Sequence, residues 1–530
     1  MNDLPWLTIL IAAPLLGAFG VAFLPKGSTL PRTIALGFSL LTLALGVVVA
    51  SRFDVGDPGL QLTETHEWIP EFGVHYAVGV DGLGLLLILL TVALVPLVML
   101  AAWNDVDVEK ARSFFAWALA LETLSLAVFA ATDVFLFYVV FEATLVPAYF
   151  LIGHFGRERR SAAALKFLMF QLGGGLVLLG SVLGLYVVSA QAGDPSYLFT
   201  DLQGLDIATE AGRWLFLGFF IAFAVKAPLF PLHTWLADTT EQATPPTSVL
   251  LVCVLDKIGT FGMLRFCLGL FPEASEWATP VVIVLALISI VYGAFVAIGQ
   301  DDILRMIGLT SLSHFGLITL GIFVFTAQGA SGSILYMINH GVATAALFFG
   351  AGFIIKRRGT TLISQMGGLE KVMPVLVGLF LVAGLATLGL PGLSQFVSEI
   401  LVLIAAFDYA WYVGAVAVTS VVLAAVYVLW TAYQRMMTGP NPSALQADVD
   451  AAAAGDEAAV VKVRDATRRE IGVLAPLTLA LVLFGFYPMP LLDVSNPTVY
   501  VLLEHVGVAD DGPDVPPREA AESSDEGGGH

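Results

Sequence analysis

Glu142, Lys226, Lys257 and Glu399 stand in the middle of stretches that are otherwise almost wholly apolar. Carboxylates and amines take up and release protons, and each charge placed at a bilayer centre costs at least ~2.5 kcal/mol even on the lenient insertion scale. Two acids and two bases kept at that cost point to ion or proton movement. No Cys or His cluster has metal-ligand spacing, so no metal site is expected, and no glycine-rich strand-to-helix turn offers a nucleotide site. Cys253 and Cys267 are too far apart along one helix, roughly 21 Å, to form a disulfide. The chain therefore shows no redox or nucleotide chemistry of its own, and no nucleic-acid partner is expected.

The elements that position these groups are membrane spans. The composition is 58% hydrophobic and 13% charged, with a mean hydropathy of +0.86. A chain so apolar takes lipid as its solvent. Apolar stretches of about 20 residues, the length that crosses a ~30 Å hydrocarbon core, recur along nearly all of it. They are residues 3–24, 31–51, 79–103, 112–131, 134–154, 164–190, 213–235, 246–270, 278–298, 302–325, 331–354, 373–404, 410–436 and 471–491, fourteen in all. The expected fold is an all-α polytopic membrane protein.

Loop charge gives this count a parity. Basic residues fall in the odd-to-even connections: Lys26 and Arg32; Arg157, Arg159 and Arg160; Lys356, Arg357, Arg358 and Lys371; Lys462, Arg464, Arg468 and Arg469. The positive-inside rule makes that side cytoplasmic. Even-to-odd loops are acidic or neutral, as with Glu64, Glu67 and Glu71, so both termini are expected on the outer face of a bacterial plasma membrane. The first segment lacks a basic n-region and a convincing cleavage site, which reads as a retained span. The net charge of -19 belongs largely to loops and to an acidic tail at 509–530, expected to be disordered.

Two segments are interrupted in a similar way. The seventh carries Pro228 and Pro231 just after Lys226, and the twelfth carries Pro391 shortly before Glu399. Proline removes a helical hydrogen bond and frees a carbonyl, tolerated in membranes where the backbone lines a cavity. Segments 4 to 8 and 9 to 13 form two blocks of five in which the broken helix is the fourth member. An odd number of spans makes the blocks inverted, and paired interrupted helices point to a transport site. The expected division is 1–110 (three helices), 111–272 and 273–438 (the two five-helix repeats), 439–470 (a cytoplasmic loop, flexible or a surface helix), 471–508 (the last span and its flank) and 509–530.

Short motifs then bring a family into view. They are Ala131-Thr132-Asp133, Phe141-Glu142, Lys226-Ala227-Pro228, Pro231-Leu232-His233-Thr234-Trp235-Leu236, Lys257 to Arg265, Ser311-Leu312-Ser313-His314, Asn339-His340-Gly341, Leu390-Pro391-Gly392 and Phe396-Val397-Ser398-Glu399. In this order and spacing, from about residue 80 to 435, the chain resembles the antiporter-like membrane subunits of respiratory NADH-quinone oxidoreductase (complex I), the subunit M branch best among them. One departure lies at Ala237 to Pro245, where a Glu and a Pro stand one position from the family's usual place; another is Phe141 in place of a Trp.

The resemblance implies the inverted repeat and a row of titratable groups in the membrane plane. It assigns Glu142 and Lys226 as a coupling pair, Lys257, His314 and His340 as a connecting relay, and Glu399 as the proton-exchanging group of the second half. Glu122 would tune Glu142, and His233 is structural or entry-related. The resemblance also implies that NADH, FMN, iron-sulfur clusters and quinone are bound by partner subunits and none by this chain, and that its neighbours in the lipid are other membrane subunits, antiporter-like chains included. The alternative is a subunit of a multi-subunit sodium/proton antiporter; a scaffold without transport is disfavoured by the mid-span charges. His154, Lys166 and Lys356 lie near interfaces, where snorkelling explains them.

Overall fold

The computed structural model describes residues 4–193, 195–440 and 442–508; the acidic tail lies outside the described residues. Lipid offers the backbone no hydrogen-bond partner, so apolar stretches satisfy their own amides as helices. In chain order these are α1 (Trp6–Ala22), α2 (Leu30–Arg52), α3 (Gly82–Ala102), α4 (Val108–Ala130), α5 (Val134–Phe155), α6 (Arg160–Ala192), α7 (Thr209–Lys226) and α8 (Thr234–Gln242). They continue as α9 (Pro245–Leu268), α10 (Pro272–Ile298), α11 (Ile303–Phe323), α12 (Ala327–Arg358), α13 (Pro374–Thr387), α14 (Ser394–Tyr409) and α15 (Trp411–Met437). After them come α16 (Ser443–Ala453), α17 (Glu457–Val463), α18 (Arg468–Phe486) and α19 (Met489–His505). Among the described residues, eleven helical stretches are long and apolar enough to cross a membrane. The first apolar segment falls on the shorter α1, and the two Pro-interrupted segments fall on the pairs α7/α8 and α13/α14.

The helices sort into an inner group and an outer ring. The apolar stretches of α9 and α11 are buried over 100% of their length and that of α12 over 89%, whereas α2 is buried over only 28%. The inner helices carry Lys257, His314 and His340. Exposed Leu176, Val281, Phe295 and Val422 face outward from the ring, where lipid takes the place of a hydrophobic core. Within the bundle α6 packs on α7, α10 on α11, α11 on α12 and α12 on α14.

One feature departs from an all-helical reading. Two antiparallel strands, β1 (Gln61–Ile69) and β2 (Val74–Val80), form a hairpin where the acidic loop between the second and third segments was expected, and α3 starts at Gly82 rather than at residue 79. The hairpin is tied to the bundle by the amide of Thr132, which donates to Ala77 O at 2.9 Å, and by the carboxylate of Asp133, which accepts from the amides of His75 and Leu136. The Ala131-Thr132-Asp133 motif is therefore a strand bridge and the N-cap of α5.

Of the two readings of the 439–470 region, the surface helix fits α16 and α17, which lie within it. Asp448 on α16 accepts from Arg358 and Lys462, each at 3.0 Å. Arg357 clamps Glu470 at 2.9 and 2.7 Å in a buried two-point pair that joins α12 to the start of α18. Lys166 and Lys356 do more than snorkel: they pair with Asp238 at 2.6 Å and Asp105 at 2.5 Å.

Candidate functional site

Lys226 is the last residue of α7, at the negative end of that helix dipole. The helix stops there because Ala227 turns extended, with φ -85° and ψ 96°, ahead of Pro228. Two side chains occupy the backbone groups near the break: the indole of Trp235 donates to Val225 O at 3.0 Å, and Ser289 Oγ accepts from the amide of Phe230 at 2.9 Å. The fully buried Lys226 ammonium donates to Thr144 Oγ1 at 3.3 Å and lies 4.7 Å from the centre of the Phe141 ring.

Glu142 is within one turn of Thr144, where α5 is itself interrupted. It forms no direct ion pair with Lys226; the Thr144 hydroxyl is the group that touches the lysine, while the carboxylate acts on it through its field. A Cβ at Gly175 of α6 would lie 1.7 Å from Glu142 Oε1, so only glycine there leaves room for the carboxylate. Glu142 is part-buried on the α5 and α6 side, and its Oε1 has no hydrogen-bond partner among the described residues.

In the centre, Lys257 Nζ and His340 Nδ1 are 2.6 Å apart. Lys257 also reaches Val252 O at 3.4 Å and lies 4.4 Å from the Phe315 ring centre. The turns on either side of Lys257, Val249–Leu255 and Met263–Leu268, are π-helical, a wide winding frequent at functional sites. His340 Nε2 meets Ser311 Oγ at 3.2 Å, and its ring centroid is 5.3 Å from that of His314. The two rings are tilted by 51° and share no direct hydrogen bond among the described residues.

His314 opens the second half. Its Nδ1 lies 2.8 Å from Tyr336 Oη and 3.0 Å from Gln395 Nε2, and its Nε2 lies 3.4 Å from Tyr427 Oη. Glu399 accepts from Ser420 Oγ at 3.2 Å and is 5% exposed. The break before it carries Pro391 between Gly389 at φ +76° and Gly392 at φ +91°, left-handed conformations suited to glycine. A Cβ at Gly389 would sit 2.3 Å from Glu399 Oε2, so this glycine also makes space for the carboxylate. Asn339 donates to Ser394 O at 2.7 Å, fastening the break to the helix that carries His340.

The remaining candidates stand apart. Glu122 is buried on α4 with neither oxygen hydrogen-bonded among the described residues. His233 lies in the first break, stacked on Phe230 at 5.9 Å and edge-on to Tyr292 at 5.3 Å. Downstream, the departing segment 237–245 is ordered: Arg305 pairs with Asp238 and Glu241, each at 2.7 Å, and Glu241 also binds Arg159. The sequence reading passed over Thr144, Tyr336, Gln395, Ser420 and Tyr427, whose polar groups are ordinary until the fold gathers them. It also passed over Asp256, although an acid beside Lys257 in an apolar segment is visible in the letters.

Fold and buried row together define a multi-pass, antiporter-like membrane subunit. Residues 131–424 match the family described as NADH:quinone oxidoreductase/Mrp antiporter, TM. The chain is 45% identical to NADH-quinone oxidoreductase subunit M of Mycobacterium tuberculosis, over 97% of each chain. It superposes on a chain of respiratory complex I from Thermus thermophilus with a TM-score of 0.83 at 32% identity, covering 95% of this chain and 100% of that one. A chain of the Mrp complex from Dietzia, 22% identical, shares the fold with a TM-score of 0.82 over 95% and 99%. This chain belongs to the subunit M family of NADH-quinone oxidoreductase.

Proposed function

We propose that the chain is a proton-translocating membrane subunit of a respiratory NADH-quinone oxidoreductase, in which quinone reduction by partner subunits drives protons along the buried row. The observation that carries this reading is the succession of groups across the bundle: Lys226 against Thr144, Lys257 against His340, His314 against Tyr336, and Glu399 at the second break. Helices pack 8 to 10 Å apart, so the larger gaps need water, and the two breaks give it room. Moving a charge onto or off Glu142 alters the field at Lys226, which couples proton affinity at one to occupancy at the other.

NADH, FMN, iron-sulfur clusters and quinone belong in this reading to partner subunits, and the outer ring abuts lipid and neighbouring antiporter-like chains. Fourteen spans with two inverted five-helix repeats, α4 to α9 and α10 to α15, fit the position of the broken pair as fourth member of each block and the π-helical turns in both fifth members. In this reading the chain lies in a bacterial plasma membrane, and the basic odd-to-even loops put both termini outside.

The test is Lys226→Ala in the assembled complex, read as NADH-driven acidification of inverted vesicles. Pumping should be largely lost with complex content unchanged; normal pumping would remove Lys226 from the pathway.

A further inference from the structure

Asp256 is a buried acid that the row described so far leaves out. It is 1% exposed, its Oδ2 has no hydrogen-bond partner among the described residues, and it sits at the junction between the π-helical turn Val249–Leu255 and the α-helical turn that holds Lys257. An ionisable side chain in such a place is expensive and is kept where it does something.

Its placement follows from its neighbours along α9. A Cβ on Gly259 would lie 2.4 Å from Ala227 N and 2.6 Å from Phe223 O, and one on Gly262 would lie 2.4 Å from the Phe223 ring. That face of α9 is therefore pressed onto the end of α7, where Lys226 and the break are. Thr260, whose hydroxyl donates to Met337 Sδ at 2.7 Å, and Lys257, on His340, mark the face turned to α12. At ~100° per residue, Asp256 falls on the flank between the two faces. Lys257 is its neighbour in the chain, and the end of α7 that carries Lys226 packs on the adjoining face. Of the other elements packed there, α4 brings Glu122 as its buried acid and α3 carries no ionisable side chain.

Lys226 and Lys257 lie on different helices, and none of the relay residues predicted from the sequence stands between them. We propose that Asp256 is a further proton-carrying group of the row, placed on the flank of α9 between Lys226 and Lys257, where it accepts a proton released on the Lys226 side and passes it toward Lys257. The step is a proton transfer alone: the carboxylate oxygen gains the proton that the ammonium side loses, and no electron or other bond is involved.

The inference rests on the proton-translocation reading, and the experiment separates the two. Asp256→Asn, Asp256→Glu and Lys257→Met are introduced into the intact complex, and coupled NADH-quinone turnover, vesicle acidification and the pH profile of turnover are measured per assembled complex. Asp256→Asn keeps the volume and removes titration; its coupled turnover should fall by about 10²- to 10⁴-fold, the range of a lost general acid-base group. Asp256→Glu should restore turnover with a displaced pH profile. Full activity of Asp256→Asn together with a dead Lys257→Met overturns the role of Asp256 alone; full activity in both overturns the underlying reading. If Asp256→Asn fails to assemble, Asp256→Glu decides: a displaced profile supports the proposal and an unchanged one overturns it.

Discussion

The 2.6 Å contact between Lys257 Nζ and His340 Nδ1 makes the sharpest prediction. Were both groups charged at that distance, their repulsion would be about 6 kcal/mol at an effective dielectric constant of 20, more than a 10⁴-fold bias. The pair therefore carries at most one charge, the condition for the proposed hand-over of a proton between the two nitrogens. His340→Gln keeps the volume and an acceptor for the ammonium but cannot take the proton. The loss expected for a deleted proton-transfer group is about 10²- to 10⁴-fold, unless water bridges Lys257 directly to His314. The assay is coupled NADH-quinone turnover and proton uptake by inverted vesicles, both normalised to complex content. Turnover and pumping should fall together, because the blocked step belongs to one cycle. An assembled His340→Gln complex with full coupled turnover would refute the one-proton pair, and lowered complex content with normal turnover per complex would make His340 a packing residue.

Three further outcomes follow from the geometry. Glu399→Gln should reduce pumping at least about tenfold, whereas Glu399→Asp, which still titrates, should retain a measurable part; equal behaviour would assign the residue to volume or hydrogen bonding. Arg357→Met leaves Glu470 buried and unpaired, a loss of about 3 to 5 kcal/mol that thermal unfolding of the purified complex should register, with turnover of the surviving complex little changed. Because Cys253 and Cys267 are buried, Gly56→Cys should be labelled by an impermeant maleimide from the outer face and Gly455→Cys only after the membrane is inverted; labelling of both from one side would contradict the loop-charge topology.

The charged members of the row were legible because a Lys or Glu inside 20 apolar residues is a one-dimensional signal whose cost is independent of the fold. The breaks were legible for the same reason: proline and glycine constrain the backbone locally. The hairpin of β1 and β2 was not, since a short acid-rich stretch such as Gln61–Ile69 reads as a loop until β2 pairs with it, and β2 is itself anchored by the distant Thr132 and Asp133. The pairing of Lys166 with Asp238 was equally hidden, as 72 residues separate them.

What the sequence determined by itself is the solvent, the helical class, and which ionisable residues lie buried in the spans, because transfer free energy acts residue by residue. What only the tertiary structure decided is adjacency. Thr144 rather than Glu142 touches Lys226, Tyr336 and Gln395 hold His314, and Gly175 and Gly389 clear the space that two carboxylates occupy. Those contacts join residues on different helices, and helix crossing and rotation are set by side-chain packing across the whole bundle, which no local pattern of letters encodes.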